Sequence, residues 1–283
     1  MEFPNRKRTE SKMTFDPRPI GVFDSGIGGL TVLRELLFAF PYETFIYLGD
    51  TARLPYGSKS GNTVRKYSEQ NLKFLLSRDV KAIVVACNTA STQINEDFYE
   101  GIPVYNVIDP GSQLAAQTTK NNNVAILATR ATVKANSYEK KIKMQNSKIN
   151  VFSVPCPLFV SLAEEGWHDD VITEQIAERY LSDLKNKNID TVVLACTHYP
   201  LLKKPIQKIL GESVTLIDSG VAISRILKND FENEKMKRTD QKKGPIELLI
   251  CLTDTGLQFE SLSTQLLADY TKSKIIFETV SVI

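Results

Sequence analysis

Histidine is scarce in this 283-residue chain, with only His168 and His198, and the four cysteines, Cys87, Cys156, Cys196 and Cys251, form no CxxC pair. A zinc ribbon, a thioredoxin-type motif or a structural metal cage is hard to assemble from that inventory. In a reducing compartment the four are expected as free thiols. No stretch reaches the roughly 18 uninterrupted apolar residues of a membrane helix. Residues 1–19 are polar, are broken by Pro4, Pro17 and Pro19, and lack the apolar core of a signal peptide, so a cytoplasmic location is expected. Neither sign of charge dominates: 35 basic and 33 acidic residues leave a net charge of +2, which argues against a nucleic-acid or membrane partner and leaves room for a small anionic ligand.

What is present is the composition of a globular protein, 42% hydrophobic and 24% charged, long enough for two domains. Short β-branched runs (Ile20 to Phe23, Thr44 to Leu48, Ala82 to Ala86, Val124 to Ala128, Thr191 to Ala195, Val214 to Ile217 and Ile246 to Leu252) alternate with amphipathic stretches. That alternation predicts an α/β fold with mainly parallel, buried sheets. Gly26, Gly28 and Gly29 mark a tight turn between the first strand and a helix.

An internal echo organises the chain. Ile83-Val84-Val85-Ala86-Cys87-Asn88-Thr89 matches Val192-Val193-Leu194-Ala195-Cys196-Thr197-His198 at an offset of 109, and at the same offset Val107-Ile108-Asp109-Pro110-Gly111 meets Leu216-Ile217-Asp218-Ser219-Gly220. Two similar α/β units follow, each with a strand ending in Ala-Cys and a later strand ending in Ile-Asp. Parallel sheets bind ligands beyond the carboxyl ends of their strands. If the units face each other about a pseudo-twofold axis, both thiols reach one cleft. The polar stretch Lys228 to Gly244 is expected as an exposed connection, after which a strand and a helix–strand unit return to the first domain. The expected division is an N-terminal extension at 1–19, flexible, a first domain of 20–112 with 226–283, and a second of 113–225.

Small polar residues gather at the predicted strand ends in Phe23-Asp24-Ser25-Gly26, Gly49-Asp50 to Gly57, Ala86-Cys87-Asn88-Thr89, Ala128-Thr129-Arg130-Ala131-Thr132 and Ala195-Cys196-Thr197-His198. Hydroxyls, amides and helix-start N–H groups suit carboxylates, and an aspartate suits an ammonium group. The GIGG after the first strand has neither GxGxxG spacing nor a GK[ST] ending, which disfavours a nucleotide loop.

The motifs FDSGIGG, GDxxxxPYG, ACNTAS, the TxxT of Thr129 and Thr132, CPLFVxLxE and ACTHYPLL, in that order from about Ile20 to Ser224, resemble glutamate racemase of the aspartate/glutamate racemase superfamily. The resemblance implies two domains with the active site at their interface, no metal and no pyridoxal cofactor. It implies interconversion of L- and D-glutamate, supplying D-glutamate for peptidoglycan. Inverting an α-carbon takes a base on one face and an acid on the other, and two thiols meet that need with one kind of group. A thiol with a reference pKa of about 8.5 needs help to ionise near neutrality. By resemblance, Asp24 serves Cys87, and His198, oriented by Glu164, serves Cys196, with Cys87 acting on D-glutamate and Cys196 on L-glutamate. Ser25 and the Pro55-Tyr56-Gly57 turn are implied for the side-chain carboxylate, and Asn88, Thr89, Thr129, Thr132 and Thr197 for the α-carboxylate and ammonium; Asp24, Cys87, Cys196 and His198 also count as substrate contacts. A homodimer and a peptidoglycan-precursor activator are further admitted partners. Ala131 and Ala135 depart from the family pattern by small changes.

Plainer roles compete elsewhere. Cys156 and Cys251 read as core residues, His168 as a helix-start or surface residue, Asp109 and Asp218 as helix caps, and Asp50 and Arg53 as either loop-fixing or ligand contacts. The rival functions are racemisation of aspartate or another acid on the same scaffold, and a non-catalytic ligand-binding protein.

Overall fold

The computed structural model describes residues 15–239, 248–256, 259–269 and 274–282. In chain order the elements are β1 (Ile20–Asp24), α1 (Leu30–Ala39), β2 (Phe45–Gly49), α2 (Gly61–Ser77), β3 (Ala82–Val85), α3 (Asn88–Ser91), β4 (Phe98–Tyr99), β5 (Ile102–Asn106) and α4 (Ile108–Thr118). There follow β6 (Asn123–Ala128), α5 (Arg130–Ala135), α6 (Ser137–Gln145), β7 (Asn150–Pro155), α7 (Leu158–Glu164), α8 (Val171–Leu181), β8 (Thr191–Ala195), α9 (Lys203–Leu210) and β9 (Thr215–Asp218). The last are α10 (Ser219–Glu232), β10 (Leu248–Leu252), α11 (Phe259–Leu267) and β11 (Ile275–Thr279).

Two sheets form, one ordered β11-β10-β2-β1-β3-β5-β4 and the other β7-β6-β8-β9. Every pairing is parallel except that of β4 with β5. The run β2-β1-β3-β5 is repeated in β7-β6-β8-β9, so the echoed cysteines follow equivalent third strands. β1, β2, β3 and β8 are buried at every position because helices cover both faces, which is why they read as unbroken apolar runs. β10 and β11 extend the first sheet, as the C-terminal pattern suggested.

The strands β5 (IPVYN) and β7 (NVFSVP) had no counterpart among the predicted runs. Each carries a proline and is only partly buried, so neither has the continuous β-branched signature. Because β5 ends at Asn106, the first unit departs from its echo. Asp109 lies inside α4 and does not cap it; the Asn106 side chain accepts from the Ile108 and Asp109 amides instead, at 3.0 and 3.1 Å. Asp218 does cap its helix, accepting from Val221 N at 2.8 Å.

α4 and α10 trade places. α4 leaves the first sheet, yet its Ile108 and Ala115 pack in the core around β6 and β8. α10 leaves the second sheet, yet its Ile223, Leu227 and Phe231 pack with β1, β2 and α1. The expected boundaries at 112 and 225 fall inside these helices. The expected exposed connection at 228–244 is corrected by the same packing: α10 runs on to Glu232, Phe231 lies against Phe40 with ring centroids 5.2 Å apart, and Met236 and Thr239 are buried. Residues 240–244 of that stretch lie outside the described residues, as do 1–14 of the N-terminal extension.

Asp16, in the described part of the extension, is contacted by a buried lysine. Lys81 Nζ donates to Glu43 Oε2 at 2.6 Å and to the carbonyls of Asp16 and Lys237 at 3.0 Å each. Thr239 donates its amide and hydroxyl to the same Glu43 carboxylate. With side chains only 2% and 5% exposed, Lys81 and Glu43 form a buried pair whose separation strands a charge. Lys81→Met is expected to lower stability to urea by about 3–5 kcal/mol, and Lys81→Met combined with Glu43→Leu by clearly less, measured from the unfolding midpoints.

Candidate active site

Each thiol is placed by the end of a buried strand. Cys87 follows β3 and caps α3, its Sγ accepting from Ala90 N at 3.4 Å and donating to Ser25 Oγ at 3.7 Å. Cys196 follows β8 directly, with His198 Nδ1 3.8 Å from its Sγ. Both are nearly buried, and both line one cavity of about 270 Å³. From the first unit Ser25, Pro55, Tyr56, Gly57, Asn88 and Thr89 also reach the wall, and from the second Thr129, Glu164, Thr197 and His198. Asp24 and Thr132 are buried one layer behind.

Asp24 is held by what surrounds it. One carboxylate oxygen accepts from the amides of Gly26 and Gly29 at 3.0 and 3.1 Å, and the other from the Thr197 hydroxyl at 3.2 Å. Burial pushes its pKa up, opposed by the charge of His198 and by these hydrogen bonds. Its direct contact in the second unit is thus the residue after Cys196, while Ser25 is the side chain that touches Cys87.

His198 bridges Cys196 and Glu164, donating from Nε2 to Glu164 Oε1 at 3.0 Å. Burial alone would lower its pKa; hydrogen bonds to Cys196 and Glu164, and their charges, outweigh it and push the value up to about 10. These partners favour the protonated ring, which would donate from both nitrogens. Cys87 has no comparable cation. Burial pushes its thiol pKa up and the charge of Asp24 adds to that, against the weaker help of Ala90 N–H and the Ser25 hydroxyl.

The seam between the units is close enough to need glycine. A Cβ on Gly28 would sit 2.5 Å from both His198 Nδ1 and Thr197 Oγ1, and one on Gly57 2.7 Å from Thr129 Cβ. Beside the first contact, Thr31 Oγ1 donates to the Thr197 carbonyl at 2.8 Å. Beside the second, the hydroxyls of Thr89, Thr129 and Thr132 lie 3.0 to 3.1 Å from one another across the seam.

Asp50 and Arg53 settle as loop-fixing residues. Arg53 pairs with Asp50 at 2.8 Å and donates to Gln70 and Asn71, and Asp50 accepts from the hydroxyls of Tyr56 and Thr253. Tyr56 thus spends its hydroxyl on the fold. Cys156 and Cys251 are buried away from the cavity, and His168 rests its Nε2 against the Ala163 carbonyl. Missed on the wall were Leu54, Ser58, Arg130, Pro157, Val160 and Ser161, all but Ser58 inside motifs already singled out, and behind it Tyr138 and Ser219, which hold Asn88. Nothing in a polar helix such as α6 distinguishes Tyr138 by spacing alone. Among the described residues, no group of three or more His, Cys, Asp or Glu could hold a metal ion, and no helix is long and apolar enough to cross a membrane.

A cavity with one thiol from each of two like units defines a racemase scaffold, and residues 38–226 match the sequence profile of the Asp/Glu/Hydantoin racemase family. Glutamate racemase of Geobacter metallireducens is 46% identical over 229 residues, 80% of this chain and 85% of that one. The crystal structure of glutamate racemase from Francisella tularensis in complex with D-glutamate aligns over 94% of this chain and 98% of its own, with a TM-score of 0.85 and 42% identity. The Escherichia coli enzyme, in complex with L-glutamate and the activator UDP-MurNAc-ala, aligns over 94% and 100% with a TM-score of 0.75 and 29% identity. The chain belongs to the glutamate racemase family and is an amino-acid racemase, an isomerase.

Gly28→Ala should push His198 and Thr197 aside and lower turnover about 10²-fold, since displacements near 1 Å have that effect; steady-state racemisation assays measure it. Glu164→Gln removes a charge that favours the imidazolium, so the His198 pKa should fall from about 10, read by NMR titration of the two histidine rings. In the wild type a raised folded pKa means that the stability linked to His198 is full below about 6.5 and is lost as the pH rises through about 10.

Proposed function

We propose that this chain interconverts L- and D-glutamate by a two-base proton transfer between Cys196 and Cys87. The observation that carries the reading is that each unit delivers one thiol, at an equivalent strand end, to the same cavity. One sulfur as thiolate removes the α-proton; the other as thiol returns a proton to the opposite face; the two sulfurs exchange protonation state in each turnover. The imidazolium of His198, 3.8 Å from Cys196 Sγ, balances negative charge on that side. Cys87, pushed up by burial and by Asp24, rests as the thiol. By family resemblance Cys196 is the base in the direction from L- to D-glutamate.

Asp24 acts on the Cys87 side through its charge, with Ser25 as the group in contact. Glu164 holds the His198 ring, Ser25 and the Pro55-Tyr56-Gly57 turn take the side-chain carboxylate, and Asn88, Thr89, Thr129, Thr132 and Thr197 take the α-carboxylate and ammonium. The division into domains at 20–112 with 226–283 and 113–225 puts the substrate between them. Product D-glutamate goes to peptidoglycan, and the activator complex of the Escherichia coli relative supports a peptidoglycan precursor as a regulator here.

Cys87→Ser and Cys196→Ser should each lower racemisation by about 10²–10⁴-fold, the usual worth of a positioned acid or base. In D₂O the wild type should wash deuterium into the α-position of glutamate with no added cofactor, and L-aspartate run in parallel tests the substrate. Full activity in both single variants would sink the two-thiol reading.

A further inference from the structure

Asn88 follows Cys87 and lines the cavity, yet its side chain is governed from the other unit. Tyr138 on α6 donates its hydroxyl to Asn88 Oδ1 at 2.5 Å. Ser219, the first residue of α10, accepts from Asn88 Nδ2 at 3.2 Å and donates back to Oδ1 at 3.3 Å. All three residues are 2–3% exposed, so water does not compete for these bonds. An amide oxygen has two acceptor sites and an amide nitrogen two donors. The two hydroxyls fill both sites on the oxygen, which fixes which way round the amide lies. Of the two N–H groups one is taken by Ser219; the other is the donor left over, on a residue of the cavity wall. Gly111 on α4 gives the Tyr138 ring its place, since a Cβ there would come within 3.2 Å of Cε1.

We infer that Tyr138 and Ser219 are positioning residues for the reaction: together they lock the Asn88 amide so that its spare N–H is held ready for a substrate carboxylate beside Cys87. The Tyr138 half of the lock comes from the second unit, whereas Ser219 starts α10, which packs on the first. This role rests on the racemase reading above, but it concerns binding and can be judged separately from turnover.

The test is a double-mutant cycle of wild type, Tyr138→Phe, Asn88→Ala and the double variant, with Ser219→Ala as a parallel arm should the phenylalanine variant fold poorly. Each protein is assayed for KM and kcat with L-glutamate, and for the Kd of D-glutamate by calorimetry. Tyr138→Phe is expected to raise KM and Kd about 10-fold, the upper range for one lost hydrogen bond. In the Asn88→Ala background the same change should shift Kd by less than about 2-fold, since the residue it acts through is gone. An equal loss in both backgrounds means general structural support and overturns the inference, as does no loss in the wild-type background. A wild type that binds but never racemises defeats the racemase reading and leaves the binding cycle to decide the role of Tyr138.

Discussion

The contact on which the site depends is the close approach of the first unit's Gly28 turn to the Thr197-His198 turn of the second. No side chain fits between them, and the Thr31 and Thr197 hydroxyls bridge the gap on either side. Through this contact Asp24, at the end of β1, reaches a residue next to Cys196, and the ring that serves Cys196 is wedged against the first unit's backbone. A shift of the seam would move Asp24 and His198 together. Proton transfer at a stereocentre tolerates little error in the distance between donor and acceptor. A seam of backbone against side chain, with the glycine hydrogens as spacers, limits that error better than two flexible side chains could.

Near-symmetry of scaffold and inequality of chemistry then coexist without conflict. The strand order β2-β1-β3-β5 recurs as β7-β6-β8-β9 and puts the thiols at matching positions. The residue two places after each thiol differs: Thr89 joins a cluster of hydroxyls, whereas His198 pairs with Glu164. A repeated backbone fixes where the sulfurs stand, and the nearest polar groups give each a different setting.

Much of this was legible in the sequence because the buried parallel strands leave a simple record. Where helices cover both faces, β-branched runs end at a polar residue, and the Ala-Cys echo marked β3 and β8 as counterparts. The record fails where burial is partial, as at β5 and β7 with Pro103 and Pro155, and where polar residues dominate a helix whose few apolar ones do the packing. The end of α10 is such a case: Leu227 and Phe231 anchor a segment that composition alone assigns to a connection. Asp50 and Arg53 were ambiguous for another reason. Their motif fits either a ligand or a loop, and only Gln70, Asn71 and Thr253, far away in sequence, reveal that they hold one another.

The exchange of α4 and α10 links these observations. Each helix starts at a strand of one unit and buries its apolar side in the other, so the units cannot part without turning these helices in their cores. Packed interiors resist gradual deformation, which favours a small rotation about the two helices over separation of the sheets. Such a rotation would open the cavity at the Gly28 and Gly57 contacts while keeping the cores filled. Ser219, at the start of α10, and Gly111, on α4 beside Tyr138, both sit where that rotation is felt. The side chains that hold the Asn88 amide therefore stand on or beside the same two helices that join the units.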